Sequence, residues 1–397
     1  MKKKIILAYS GGLDTSFCIP YLIDQGYEVY AVSVNTGSFT KREIKNMKRQ
    51  AIKLGATQYE CIDVSVEYYE KCVRFLIYGN ILRGDSYPLS VSSERAFLAM
   101  AILKYLKKSK AKYVAHGSTG AGNDQIRFDL IFQSLAPAVK IITPIRDNNF
   151  SRQDEVDYLA SKGFSWPAKK KDYSINHGLW GTSVGGKETL TSHQTLPSDV
   201  YPSQLKKEKS SLIKIEFKKG AVYRLNGKKM KPIELIKKVE KLASAYAIGR
   251  DIHVGDTIIG IKGRVGFEAA AALVIIKAHH LLEKHTLSKW QTHWKKQLAD
   301  WYGMQLHEAQ YLDPTMRDIE VFLEQTQRYV NGVVEIKLYP YKFDIIGVKS
   351  KNDLMSAKFG SYGEENKAWT GEDVRGFTTL LSNPHKIFYA INKNEKI

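Results

Sequence analysis

The stretch Ala8-Tyr9-Ser10-Gly11-Gly12-Leu13-Asp14-Thr15-Ser16 ends a short apolar run, Lys4–Tyr9, and opens a segment of helical period, Asp14–Gln25. A strand that passes straight into a helix through paired glycines is an anion-binding arrangement. The glycines let backbone N–H groups approach a ligand, the helix dipole favours negative charge there, and Ser10, Thr15 and Ser16 add hydroxyl donors. An ordinary strand-to-helix turn would also suit Gly11-Gly12. The segment lacks the Gly-Lys-Ser/Thr of a P-loop and the later glycines of a dinucleotide fingerprint, yet it is dense in hydroxyls.

Outward from this loop, short apolar runs alternate with helical segments up to about residue 165, the pattern of a parallel sheet wrapped by helices. The expected strands are Lys4–Tyr9, Glu28–Val34, Gln58–Asp63, Lys112–His116 and Lys140–Ile142. Between them lie expected helices at Asp14–Gln25, Lys41–Leu54, Ser92–Lys107 and Asn123–Leu135, and Ser151 with Asp154 forms a capping box for a further one. Trp166-Pro167 and the lysines after it mark a boundary. Beyond it the reading is α+β: strands at Leu212–Phe217, Val222–Leu225, Thr257–Lys262 and Val333–Tyr339, and helices from Pro232 to Ala245 and over Ala269–Glu283, Leu287–Trp301 and Thr315–Tyr329. The fold class is therefore α/β, a doubly wound parallel sheet over residues 1–165, with a second α+β domain over 166–360. Residues 361–397 carry Phe377, Leu380, Leu381, Ile387 and Phe388 with little domain left to receive them, which predicts an oligomerisation tail.

The 397 residues carry a formal charge of +19 with 43% apolar side chains, which excludes a disordered tail or a miniprotein. The longest uncharged apolar run, Ala269–Ile276, falls far short of the roughly 20 residues that cross a bilayer. Met1 to Lys4 is basic, but the apolar run after it is too short for a signal peptide, so the expected location is the cytoplasm. Cys18, Cys61 and Cys72 have neither the number nor the spacing of a disulfide frame or zinc knuckle and read as buried free thiols. Lysine clusters at 107–110, 169–171 and 228–231 suit anionic ligands in general, with solvated surface the simpler reading. His279, His280, His285 and His293 lack metal-ligand spacing, and Trp290, Trp294 and Trp301 are expected in the core.

A second segment carries chemistry. Strand Lys112–His116 delivers a loop with three glycines, Gly117 to Gly122, and Asn123, Asp124 and Arg127 follow where a helix starts. Ligands of open α/β sheets sit at the carboxyl ends of strands, so this loop and the Ser10–Ser16 loop should face one crevice. Arg127 offers a planar fork for a carboxylate, Asp124 an acceptor for an ammonium, and Thr119 and Asn123 neutral partners, which is the equipment of an amino-acid site. A plain Asp124–Arg127 pair on a helix surface is the alternative.

Ser10-Gly11-Gly12-Leu13-Asp14-Thr15-Ser16 resembles the pyrophosphate loop of the N-type ATP pyrophosphatases, an adenine nucleotide alpha hydrolase-like fold, and in this form that of the argininosuccinate synthase family. Asp85-Ser86-Tyr87-Pro88-Leu89-Ser90 with Ser92 and Arg95, and Ala115 through Phe128, are similar to further blocks of that family, as are Asp172-Tyr173-Ser174, Leu179 through Ser183, Ile248-Gly249-Arg250 and Gly260 through Arg264. The resemblance implies a ligase that condenses citrulline with aspartate at the expense of ATP, with Mg2+, through an adenylated citrulline, in a homotetramer that needs neither membrane nor nucleic acid. It implies that Ala8, Tyr9, Ser10, Gly11, Gly12, Leu13, Asp14, Thr15, Ser16, Val34 and Gly117 hold ATP. It implies Thr119, Asn123 and Asp124 for aspartate, and Tyr87, Ser92, Asn123, Arg127, Ser174 and Ser183 for citrulline, with Asp14 and Asp124 as catalytic candidates and no protein metal cluster. Two positions depart from the family pattern: Gly255 and Phe267 stand where a glutamate and a tyrosine contact citrulline. Asn176-His177-Gly178 departs as well. An altered ureido or amide amino acid, or a tRNA base adenylated by the same loop, is the competing substrate; a non-catalytic nucleotide sensor is the competing class.

Overall fold

The structure is a computed structural model and describes residues 3–167, 173–356 and 368–392. Residues 1–352 form one compact unit and 353–397 another. In the first, β1 (Lys3–Ala8), β2 (Tyr27–Asn35), β3 (Gln58–Asp63), β4 (Tyr113–Ala115) and β5 (Lys140–Ile142) make an all-parallel sheet in the order 3-2-1-4-5. The five strands coincide with the expected runs to within a residue or two. β1 is central and buried on both faces, so its run needs apolar residues at consecutive positions rather than in alternation. Ile5 and Leu7 enter one core with Phe17, Leu22 and Ala51, and Ile6 enters the other with Val32, Ile102 and Ile131.

The helices that flank this sheet are α1 (Leu13–Asp24), α2 (Lys41–Lys53), α3 (Ser65–Tyr68), α4 (Arg74–Gly79), α5 (Arg95–Ser109), α6 (Asp124–Leu135), α7 (Pro144–Asn148) and α8 (Arg152–Ser161). Capping boxes start α2 at Thr40 and Glu43 and α8 at Ser151 and Asp154. A π-helical turn, Tyr69–Val73, joins α3 to α4. This helical stretch is amphipathic: Tyr68, Tyr69, Cys72, Val73, Leu76 and Ile77 are buried at helical spacing, while Glu67, Glu70 and Lys71 are exposed. Cys18 is buried as well, whereas Cys61 is half-buried, and all three thiols are free.

Two antiparallel sheets complete the unit. β6 (Ser174–Gly178), β7 (Gly181–Gly185), β11 (Arg250–Asp256) and β12 (Lys262–Glu268) are ordered 11-12-7-6. β8 (Ser211–Lys218), β9 (Ala221–Leu225), β10 (Lys228–Lys229), β13 (Gly332–Tyr339) and β14 (Lys342–Lys349) are ordered 10-9-8-13-14. The remaining helices of the unit are α9 (Pro232–Ser244), α10 (Ala270–Thr286), α11 (Lys289–His307) and α12 (Pro314–Thr326). Residues 257–261, expected as strand, are instead the turn between β11 and β12, closed by Thr257 N–H donating to the Ile261 carbonyl at 2.8 Å with Gly260 at φ +83. The tryptophan expectation also fails. Trp290, Trp294 and Trp301 are exposed, because α11 packs through Lys295, Ala299, Tyr302 and Leu306, a stripe with the same spacing rotated by roughly a third of a turn. Lys295 tolerates burial by pairing with the Glu283 carboxylate at 2.6 Å and donating to the Tyr78 carbonyl at 2.6 Å.

The second unit contains α13 (Gly371–Leu381) and α14 (Asn383–Ile391), and Phe377, Leu380, Leu381, Ile387 and Phe388 on them are exposed. No helix among the described residues is long and apolar enough to cross a membrane. The lysines at 169–171 lie outside the described residues.

Candidate active site

The sheet order reverses direction beside β1, so the loops after β1 and β4 flank one crevice at the carboxyl ends of the strands. Their proximity is direct: a Cβ on Gly117 would lie 3.1 Å from the backbone carbon of Asp14 and 3.2 Å from Thr15 N. Only a residue without a side chain lets the two loops approach this closely.

The first loop is braced by its own hydroxyls. Ser10 Oγ accepts from Gly12 N–H at 3.3 Å, and Thr15 Oγ1 accepts from Ser10 N–H at 3.3 Å and lies 3.1 Å from Ser10 Oγ. Gly11 sits at φ +78, and Gly12, the N-cap of α1, supplies no side-chain cap, so the first amides of α1 stay open to an anion. Behind the loop, Ser33 Oγ donates to the Tyr9 carbonyl at 2.7 Å, Gln50 donates to Ser16 Oγ at 2.9 Å, and Val34 is buried. Ala8 ends β1 and Leu13 opens α1 into the core. Burial pushes the Tyr9 hydroxyl up to about 12 and raises the Asp14 carboxyl, which Arg152 partly opposes. Glu155 of α8 is buried beside Asp14, and burial together with that neighbouring carboxyl raises it too.

In the second loop, His116 accepts Ser118 N–H on Nδ1 at 3.3 Å, which leaves Nε2 to donate to Asp129 at 2.9 Å. Thr119 is exposed at the tip, and Asn123 Oδ1 accepts Ile258 N–H at 2.9 Å, from the turn that joins β11 to β12. Asp124 and Arg127 do pair, at 2.9 Å, with the Asp124 side chain 37% exposed. Arg127 is buried, and Asp124 also accepts Arg95 Nε at 2.9 Å. Burial opposes ionisation of Asp124, yet the two guanidiniums outweigh it and hold the carboxyl down at about 2. Arg95 is held in turn by Glu94 at 2.9 Å, and Glu94 accepts Thr36 Oγ1 at 2.6 Å.

Tyr87 is buried, accepts Ser90 Oγ at 3.2 Å, and stacks on His253 with ring centroids 5.3 Å apart. Its other neighbour is Phe267, also at 5.3 Å. Phe267 pairs across the sheet with Ser183, and Ser183 with Asn176, so these side chains share one face with Ser174, His253 and Gly255. Ser183 is buried on that face and Ser174 exposed at its edge. Ser92 Oγ is buried with no hydrogen-bond partner among the described residues. A side chain at 255 would begin 2.7 Å from His253 Nε2, so the His253 imidazole occupies the ground a larger residue there would need. The structure thus gathers Gly117 with the first loop, and Tyr87, Asp124, Arg127, Phe267 and Ser183 into a linked set, while Thr119 and Ser174 stand at its exposed margin. Sequence reading missed His253, Glu94 and Glu155. Glu94 adjoins the flagged Arg95, which was the one available signal.

The chain matches the family described as the arginosuccinate synthase N-terminal HUP domain over residues 4–165 and the arginosuccinate synthase C-terminal domain over 173–388. It is 36% identical over 382 residues to an argininosuccinate synthase from Dictyoglomus turgidum, covering 96% of each chain. It is 36% identical over 398 residues to that of Oenococcus oeni, covering 99% of this chain and 98% of that one, and 35% identical over 369 residues to that of Methanocaldococcus jannaschii, covering 92% and 93%.

Proposed function

The chain belongs to the argininosuccinate synthase family of ligases, and from that premise we propose that it condenses citrulline with aspartate, using ATP, through citrullyl-AMP. The observation that supports this reading best is the approach of the two loops at Gly117 and Asp14, with the Asp124–Arg127 pair on the helix that follows. The ureido oxygen of citrulline attacks the α-phosphorus and pyrophosphate leaves. The aspartate amine, once it has lost a proton, attacks the ureido carbon and AMP departs. Ser10 to Ser16 would cradle the triphosphate with amides and hydroxyls, with Ala8, Tyr9, Val34 and Gly117 at its nucleoside side. Tyr87, Ser92, Arg127, Ser174 and Ser183 would hold citrulline, and Thr119, Asn123 and Asp124 aspartate.

A carboxyl held at about 2 is a poor proton acceptor, so Asp124 serves as a fixed negative charge that orients an ammonium, rather than as a general base. Positioning and charge neutralisation then carry the rate. Magnesium bound to a nucleotide takes most of its oxygens from phosphate and water and needs only one or two carboxylates. Asp14, the one carboxylate of the loop, fits that need, and the ion would neutralise charge on the departing pyrophosphate. The exposed apolar face of α13 and α14 is the proposed subunit contact of a homotetramer.

The test is AMP and pyrophosphate release from ATP and magnesium with citrulline and aspartate added singly and together. Sustained release of both products that needs both amino acids is the expected result, with citrulline alone giving at most one equivalent of pyrophosphate per site. Release that needs a different amino acid or tRNA overturns the substrate, and ATP binding without release overturns the reaction.

A further inference from the structure

The sheet face that carries Phe267 and Ser183 is short of negative charge. Asn176, Ser183 and Phe267 lie in one cross-strand row without a charge, and Gly255 and Gly263, paired further along, add no side chain. His253 fills the ground between them. It stacks on Tyr87, and its Nε2 lies 2.7 Å from where a side chain at 255 would begin, the position at which the family pattern has a glutamate. The imidazole is neutral, because burial first and then the Arg83 charge hold it below the ordinary histidine range, against the weaker pull of Asp251. A neutral ring thus stands where a carboxylate is expected.

The carboxylates nearby are engaged elsewhere. Asp124 has one oxygen taken by Arg95 and the other by Arg127. Glu94, which reaches this face beside Gly178, accepts from Arg95 and from Thr36. Glu268 and Asp256 project from the opposite face and pair with Arg250 at 3.1 Å and Lys262 at 2.7 Å. Asp251 does stand on this face, but it is exposed on the edge strand β11, and one of its oxygens accepts Ile252 N–H at 2.7 Å. Positive charge, by contrast, is plentiful. Arg83 donates to the Asp256 carbonyl at 3.2 Å and pairs with no carboxylate among the described residues. Arg127 donates through Nε to the carbonyl oxygen of His307, at the end of α11, at 3.0 Å. His307 is itself neutral, held down at about 3 by burial first and then by the Arg127 charge.

An α-ammonium brought here meets two guanidiniums and no unengaged buried carboxylate, and burying a charge without a partner costs far more than burying an amide that is hydrogen-bonded. We propose that the ureido substrate this site prefers is the Nα-acyl derivative of citrulline, whose α-nitrogen is an uncharged amide, with the acyl group against His253 in the space left by Gly255 and Gly263. The inference rests on the reading of this face as the ureido amino-acid site. A neutral imidazole always carries one N–H, and the acyl carbonyl supplies it with an acceptor. The reacting atoms are unchanged: the ureido oxygen displaces pyrophosphate from the α-phosphorus, the aspartate amine displaces AMP, and the acyl group passes intact into the product.

The experiment is steady-state AMP release by the full chain with ATP, aspartate and, in turn, citrulline, Nα-acetylcitrulline and Nα-methylcitrulline, the last of which adds bulk but keeps the charge. Nα-acetylcitrulline is expected to exceed citrulline in kcat/KM by about tenfold or more, chiefly through KM, with the methyl derivative no better than citrulline. Citrulline that matches the acetyl derivative overturns the inference, and so does a methyl derivative as good as the acetyl one, since room rather than charge would then decide. His253→Ala combined with Gly255→Glu clears the ring and returns a carboxylate, and is expected to reverse the preference; a folded double variant that keeps it overturns the inference, and the wild-type comparison decides even if this variant fails to fold. Asp251→Asn is expected to leave the citrulline KM unchanged, and a rise of about tenfold or more would assign the ammonium to Asp251 and overturn the inference. Absence of AMP release with all three compounds refutes the proposed reaction instead, a result distinct from each of these.

Discussion

Gly117 is the residue on which the crevice depends. Gly117→Ala places a methyl 3.1 to 3.2 Å from the Asp14 and Thr15 backbone and must push the loops apart. It should raise KM for ATP by about tenfold or more with little change in KM for aspartate, as initial rates would show. Glu240 makes a separate prediction. It is half-buried and accepts Ala271 N–H at 2.7 Å, and loss of solvent around it pushes its carboxyl up to about 7. A carboxyl raised in the folded state holds its proton better there than in the unfolded chain, so its contribution is present below about pH 4.5 and is lost as pH rises through about 7. Glu240→Gln removes that loss while keeping the acceptor. Its thermal stability should match wild type near pH 5 and exceed it by on the order of 2 kcal/mol at pH 8, and equal melting curves at both values would refute the assignment. Asp124, Arg127 and Tyr87 were legible in the sequence because they lie in short motifs. His307 was not, since its partner Arg127 is 180 positions away and only the fold joins them.

At the scale of elements, legibility followed the physics of each segment. The parallel strands read plainly because burial on both faces demands consecutive apolar residues, as in Ile5-Ile6-Leu7. Helices with a polar face and a cap, such as α2 and α8, read equally well. Their caps are testable: Thr40→Ala removes the acceptor for Glu43 N–H at 3.2 Å and should cost about 1 kcal/mol in urea denaturation. The stretch from Ser65 to Gly79 carries a helical period in Tyr68, Tyr69, Cys72, Val73, Leu76 and Ile77, but it forms two short helices joined by a π-helical turn and has no side-chain cap to mark its start. α11 misled for a different reason. It carries two stripes of helical spacing, and the tryptophans are the more conspicuous, yet the smaller residues Ala299 and Gly303 with Leu306 allow close packing and form the buried one. The run at 257–261 has strand-like residues, but Gly260 at φ +83 turns the chain back.

At the scale of the molecule, the residues of both cores all lie in the first unit. A chain ending at Asn352 should therefore keep its far-ultraviolet spectrum and melt within a few degrees of the full chain, while light scattering should report a smaller assembly. An undiminished tetramer from the truncated chain would remove α13 and α14 from the proposed contact. The parallel sheet and the antiparallel remainder were legible from the change in pattern near Trp166; which loops of the second half touch the first was not, because Ile258 reaches Asn123 across a separation of 135 residues. The same separation governs Arg127, whose guanidinium is seated on the end of α11. On the proposed reading, a gene carrying only the first 165 residues would inherit the means to hold a nucleotide and only part of the means to choose what it is spent on. Selectivity is then shared, with Tyr87, Ser92, Asn123 and Arg127 in one half and Ser174 and Ser183 in the other, so a lineage that exchanged the second half would alter the reaction's beneficiary while leaving its fuel untouched.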